Sequence, residues 1–205
     1  MNIADLFKGI PTGNICDSNN REGSMNEEIK PLHYKFEVTG YAMTVTCVPG
    51  DNLTIHKAIT EAKPGSVLVI DCKGYTGAGV FGELFATSCK AYGIKGVVID
   101  GACRDKKDII EMNFPVFSRG VNPNGTLKET CGEINSVIEC GGCIVKPGDI
   151  IVGDADGIVV IPQEKAQEVL EKSQTKKAKE DKLKVLLTQG KTTAELMGFD
   201  KKWNK

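Results

Sequence analysis

The chain has 205 residues, 40% of them hydrophobic and 26% charged, the composition of a globular protein with a real core, which excludes general disorder. Lys and Arg number 26 against 27 Asp and Glu, a net charge of -1, so there is no basic field to hold nucleic acid by its phosphates. No run reaches the ~18 apolar residues of a membrane helix, and Met1 to Gly13 lacks the basic and apolar regions of a secretory leader, so a cytoplasmic protein without a membrane partner is expected.

Residues 1–30 are polar and turn-rich and read as short helical pieces. Phe36 to Val48 alternates loosely and is rich in β-formers, which predicts a strand. Asp51-Asn52 opens a helix over Leu53 to Ala62, which Lys63-Pro64-Gly65 breaks. Val67 to Asp71 is a short apolar run ending in an acid, as a buried parallel strand should be. A glycine-rich loop is expected from Gly74 to Gly82, then a helix from Glu83 to Tyr92 and a second buried strand from Gly96 to Asp100. Lys106 to Met112 reads as a short helix and Pro115 to Ser118 as a strand. Strands follow at Ile134 to Glu139, Cys143 to Val145, Asp149 to Gly153 and Ile158 to Ile161. Pro162 opens a long helix to about Gln189, whose middle is too polar for a core helix. It is either solvated or laid on another subunit. Trp203 falls in a tail expected to fray.

The eight cysteines lie mostly in apolar runs and read as buried free thiols. Cys140-Gly141-Gly142-Cys143 lacks the second pair or nearby histidines that a zinc site needs.

Two stretches carry possible chemistry. Gly77-Ala78-Gly79-Val80-Phe81-Gly82 matches a dinucleotide fingerprint literally, with Asp100 near the expected spacing. The strand does not run directly into its first glycine, however, since Cys72 to Thr76 intervene. A glycine segment entering a helix still offers free N–H groups to an anion, carboxylate or phosphate. Glu83 stands at that helix start, where it is also an ordinary first-turn acid. Arg104-Asp105 follows the second buried strand, and parallel strand ends open on one edge, so it should converge on the glycine segment. Arg offers a planar fork to a carboxylate or enolate oxygen, and one Asp plus waters is a common way to hold Mg²⁺. A plain Arg–Asp pair holding a loop is the structural alternative. His56 sits beside Ile55 and Ile59 in a helical run and reads as structural, as do Glu133 and Asp154, while His33 belongs to no constellation.

Glu83 and Arg104-Asp105, with twenty residues between Glu83 and Arg104, resemble the acid, arginine and aspartate pattern of the 4-hydroxy-4-methyl-2-oxoglutarate aldolases, which belong with the RraA-like proteins. Asn14-Ile15-Cys16-Asp17, Asp51 to Ala58, Pro64 to Val69, Pro147-Gly148-Asp149 and Gly153 to Gly157 agree with the same family. The resemblance implies a single-domain α/β fold of the β/β/α swivelling type, with a core over 1–162 and a C-terminal helical extension over 163–205. It implies trimers or hexamers with sites at subunit interfaces. Asp105 would be the ligand to Mg²⁺ or Mn²⁺, and Arg104 would hold the pyruvate end of a 2-oxo acid. Backbone N–H groups at Gly82, Glu83, Leu84 and Phe85 would bind its carboxylate, and Glu83 would hold a water for proton transfer. Glu180 matches the place of a glutamate supplied by a neighbouring subunit.

The expected activity is metal-dependent aldol cleavage to pyruvate, with oxaloacetate decarboxylation. The alternative is a non-catalytic regulator that binds a ribonuclease or other protein. Lys73 and Lys106 near the expected crevice leave a Schiff-base aldolase as competing chemistry.

Overall fold

The computed structural model describes residues 2–203. A 3-10 turn at Ala4–Phe7 leads into α1 (Thr12–Ser18), β1 (Lys30–Pro31) and β2 (Val38–Thr46). Then come α2 (Leu53–Glu61), β3 (Ser66–Phe81), α3 (Glu83–Ala91), β4 (Gly96–Cys103), α4 (Lys106–Glu111) and β5 (Val116–Val121). The chain continues through β6 (Ile138–Cys140), β7 (Cys143–Val145), β8 (Ile150–Asp154) and β9 (Gly157–Ile161). It ends in α5 (Ala166–Thr188), α6 (Thr193–Met197) and α7 (Asp200–Trp203).

A seven-stranded mixed sheet runs in the order β1-β5-β4-β3-β2-β8-β9, with β6 and β7 forming a separate hairpin. Strands β2 to β5 are parallel, and β1, β8 and β9 add antiparallel edges. The apolar runs at Val67 to Ile70 and Val97 to Ile99 are fully buried because both faces of the parallel strands are covered. α2 and α3 pack on that part of the sheet, α2 through Ile55, Ala58 and Ile59 and α3 through Ala86 and Cys89. A second apolar cluster joins Phe7 and Ile15 to Ile150, Ile161, Val169 and Leu170, so the first turns of α5 pack on their own chain. Beyond Ser173, α5 has no buried residue.

The stretch from Gly74 to Gly82 departs from the loop expected there. It is mostly the second half of β3, held by β4 through an irregular register: Asp71 pairs with Asp100, then Tyr75 with Gly101, Gly79 with Ala102 and Phe81 with Cys103. Extra residues bulge from β3 between these pairs, and glycine makes the bulging cheap. The helix opened by Pro162 begins as a 3-10 turn at Gln163–Lys165 before becoming α5. Trp203 belongs to α7 rather than to irregular chain and is 65% exposed. The Cys140/Cys143 pair faces itself across the β6–β7 hairpin, whose turn is Gly141-Gly142. All eight cysteines are free thiols, five of them buried. No helix among the described residues is long and apolar enough to cross a membrane.

Candidate functional site

β3 and β4 run parallel and finish together, Phe81 opposite Cys103, and the Arg104 N–H donates to the Phe81 carbonyl at 2.8 Å. Gly82-Glu83 and Arg104-Asp105 therefore emerge side by side at one sheet edge, the convergence expected from the two buried strands. Asp105 caps the start of α4 in the left-handed region, at φ 55°. Its Oδ2 accepts the Glu83 N–H at 3.0 Å and lies 3.5 Å from Arg104 Nε. The approach is close enough to require Gly82, because a Cβ there would stand 2.3 Å from Asp105 Oδ2. Both partners stay accessible, with side-chain exposures of 43% for Arg104 and 36% for Asp105. The contact is loose and leaves each group free to meet a ligand.

α3 begins at this point. Ala86 N–H donates to Gly82 and Glu83 N–H to Asp105, so the first-turn N–H groups left for a ligand are those of Leu84 and Phe85. Of the four backbone groups expected to bind a carboxylate, Glu83 is thus already engaged. Its side chain is exposed.

A cavity of about 490 Å³ opens against this edge, between α2, α3 and the 126–128 segment. Asp105 is its one acid among the described residues, and Arg104 and Lys128 are its cations. Asn52, next to the start of α2, is 5% exposed and donates through Nδ2 to the Val80 carbonyl at 3.0 Å. Its Oδ1 has no partner. An unmet buried acceptor costs about 1–3 kcal/mol.

Lys128 comes from a segment with no regular structure, and Asp51 explains its place. Asp51 Oδ1 accepts the Leu53 N–H at 2.8 Å, and Oδ2 accepts the Glu129 and Thr130 N–H groups at 2.8 and 3.0 Å. Leu127 also pairs with Gly50 and Asn52 through backbone bonds. One buried carboxylate thus ties the 127–130 segment to the start of α2. Burial pushes the Asp51 carboxyl up, but the three N–H donors outweigh it and hold it below its ordinary value.

His56 also lines the cavity, its ring 4.5 Å from that of Phe85. Ile55 and Ile59 do pack inward, and His56 falls on the adjoining face of α2. Partial burial and then the Lys128 charge lower its pKa, keeping the imidazole neutral near pH 7. Asn52, His56 and Lys128 were all missed as site residues in the sequence. Asn52 and His56 are one helical turn apart, which could have flagged them; Lys128 carries no such signal.

The other candidates lie elsewhere. Within the chain, Glu180 accepts from Asn14 Nδ2 at 2.7 Å and pairs with Lys176 at 3.3 Å, and the Asn14 bond is the main cause holding its carboxyl low. Lys73 pairs with the buried Asp71 and does not line the cavity, and neither does Lys106. Asp100, the acid of the dinucleotide reading, is buried against Arg119 and the Gly141 N–H. Asp154 is structural, as expected, accepting the Thr12 N–H and hydroxyl at 2.8 and 2.7 Å. Glu133 accepts the Thr46 N–H at its carbonyl and donates its own N–H to the Thr46 hydroxyl.

No group of three or more His, Cys, Asp or Glu side chains able to hold a metal exists among the described residues. The donor set at Asp105 fits a hard divalent cation that keeps most of its waters, and it does not fit an all-protein cage.

The comparisons with known proteins bear on this site. A "Putative 4-hydroxy-4-methyl-2-oxoglutarate aldolase" of Halalkalibacterium halodurans is 42% identical over 175 residues, covering 85% of this chain and 83% of that protein. An uncharacterized Pseudomonas syringae protein superposes with a TM-score of 0.85 at 28% identity, over 93% of this chain and 90% of its own. Streptomyces coelicolor RraAS2, described as an unusual member of the RNase ES inhibitor RraA protein family, superposes with a TM-score of 0.82 at 25% identity, over 89% and 96%. The model of the RraA-like family, described as Aldolase/RraA, matches residues 12–160, from α1 through β9 and across the whole Arg104–Asp105 edge, and the chain belongs to that family.

Proposed function

We propose that the chain is a carbon–carbon lyase that releases pyruvate from a 4-hydroxy-2-oxo acid such as 4-hydroxy-4-methyl-2-oxoglutarate, and that it decarboxylates oxaloacetate at the same site. The observation that carries this reading is the accessible Arg104–Asp105 pair beside the open start of α3, on a cavity that Lys128 also lines. The name of the H. halodurans relative points the same way.

The substrate carboxylate is placed at the Leu84 and Phe85 N–H groups, where the positive end of the α3 dipole favours an anion. Arg104 donates to the C2 oxygen, whose negative charge grows as the C3–C4 bond breaks. An interaction that strengthens toward the transition state raises kcat rather than binding alone. Lys128 adds a second positive charge matching the anionic 2-oxo acid. Glu83, through a water, and Glu180 from a second copy of the chain are the carboxylates assigned to take the C4 hydroxyl proton. Asp105 is the residue that would hold Mg²⁺ or Mn²⁺, which when bound supplies Lewis-acid polarisation of the C2 carbonyl.

A trimer or hexamer in the cytoplasm is part of the proposal. Val185, Leu186, Met197, Phe199 and Trp203 are exposed on the C-terminal helices, an apolar surface that a second copy would cover.

The test is pyruvate release, coupled to lactate dehydrogenase, from 4-hydroxy-4-methyl-2-oxoglutarate and from oxaloacetate. Activity with Mg²⁺ that is lost in EDTA and in Asp105→Ala is the expected result. Pyruvate that survives both overturns the site. The likeness to RraAS2 favours a second reading, a regulator that binds a protein partner, and release of no pyruvate from any 2-oxo acid supports it.

A further inference from the structure

The cavity is chemically divided. Its charged residues sit where α2 and α3 begin, and Asn52 binds Leu127 through backbone there, bringing Lys128 to the same end. From that end the cavity continues as a groove between the two helices, lined by His56, Ile59 and Thr60 of α2 and by Phe85, Ser88 and Tyr92 along α3. None of these six carries a charge near pH 7, His56 included. At about 1.5 Å per residue, Asn52 to Thr60 and Leu84 to Tyr92 each run roughly 12 Å along their axes. A short oxo acid anchored at Arg104 leaves most of that length unused.

The far wall is aromatic and apolar where it is best formed. The His56 and Phe85 rings lie 4.5 Å apart, Phe85 stacks on the buried Phe81 at 5.5 Å, and Ile59 is buried beneath. Phe85 is therefore held in place by the core and offers a fixed ring to a ligand. Tyr92 closes the far end, half exposed. A cavity of about 490 Å³ suits a ligand well above the size of a five-carbon diacid.

We infer that this groove selects 4-hydroxy-2-oxo acids whose C4 bears a long, uncharged apolar or aromatic substituent, so that the second product is an apolar aldehyde. The inference rests on the lyase reading above and names its substrate class. The chemistry balances: the C3–C4 bond breaks, the C4 hydroxyl loses its proton and becomes the aldehyde carbonyl, and C3 of the pyruvate enolate takes a proton from water. Groove contacts act on the tail alone, so they discriminate between substrates while the reacting end stays common.

The experiment compares kcat/KM for 4-hydroxy-2-oxo-6-phenylhexanoate and 4-hydroxy-2-oxopentanoate, with oxaloacetate as a control that has no C4 tail. The expected ratio favours the phenyl compound by about tenfold or more, the scale on which an apolar pocket discriminates. Ser88→Trp, which fills the groove midway, should bring the ratio near one, and Tyr92→Ala should lower it. The ratio is read on the same folded molecules, so partial misfolding does not imitate the effect. A ratio of one or less in the wild type, or a ratio that Ser88→Trp leaves unchanged, overturns the inference while the lyase reading stands. Pyruvate from none of the three compounds overturns both.

Discussion

The sheet presents two aspartate–arginine pairs, Asp100–Arg119 and Asp105–Arg104, and they differ in burial and in how tightly they are engaged. Asp100 and Arg119 are 9% and 16% exposed, and Asp100 is engaged by Arg119 on one oxygen and by the Gly141 N–H at 2.8 Å on the other. Arg119 also reaches Glu28. Asp105 and Arg104 are accessible, and their nearest charged atoms are 3.5 Å apart. A largely buried pair whose two carboxylate oxygens are each engaged serves to hold strands together. An accessible pair with slack between its members is poorly explained as a staple and well explained as a receptor. Residue identity does not separate the two; burial and engagement do.

Five measurements would break or sharpen that contrast. Asp105→Ala should lower pyruvate release by about a thousandfold, because it removes the carboxylate proposed to hold the cation that polarises the C2 carbonyl, with the melting temperature nearly unchanged. Asp100→Ala should do the reverse, stranding the largely buried Arg119 at a cost of about 3 kcal/mol or more, seen as a lower denaturation midpoint with activity per folded molecule kept. Equal effects of the two variants on stability would end the contrast. Arg104→Lys keeps the charge and loses the planar fork, and should cost kcat about 10- to 100-fold.

Asp51→Asn should cost about 1–3 kcal/mol, since charge-assisted bonds to three N–H groups are weakened in a buried site. Its pH dependence has a definite sign. The folded carboxyl lies below its ordinary value, so its contribution is full above the usual carboxylate range and is lost as pH falls through the lowered folded value. Urea midpoints between neutral and acid pH should drop more for the wild type than for Asp51→Asn. The smallest expected change is the stability of Glu180→Gln, under about 1 kcal/mol for a partly exposed pair. A fall in activity beyond that, restored by mixing with a site-dead Arg104 variant, would place Glu180 in a neighbour's cavity.

Much of this was legible in the sequence where burial writes a pattern. Val67 to Ile70 and Val97 to Ile99 had to be buried parallel strands, and two parallel strand ends had to bring Gly82 and Arg104 to one edge. The path from Gly74 to Gly82 was not legible, because glycines leave no side-chain alternation, and only the β4 backbone makes that stretch a strand. Lys128 was hidden for a different reason. Its position depends on Asp51, seventy-seven residues earlier, accepting two N–H groups of the same segment. The place of His56 on the cavity was not legible because a helix with buried Ile55 and Ile59 looks the same whether its next face meets solvent or a cavity. Lys30–Pro31 forms a strand too short to leave any periodic trace.

The left-handed backbone at Asp105 has an evolutionary consequence. A side chain at φ 55° costs about 1 kcal/mol relative to glycine, a strain that the fold tolerates at the position proposed to hold the cation. Asp105→Gly would release that strain while deleting the carboxylate. On the lyase reading, the substitution that most simply silences the site is therefore one the scaffold accepts, and selection for activity would have to oppose it continually. A protein built this way can shed its chemistry and keep its shape, which makes folded, non-catalytic descendants an accessible outcome.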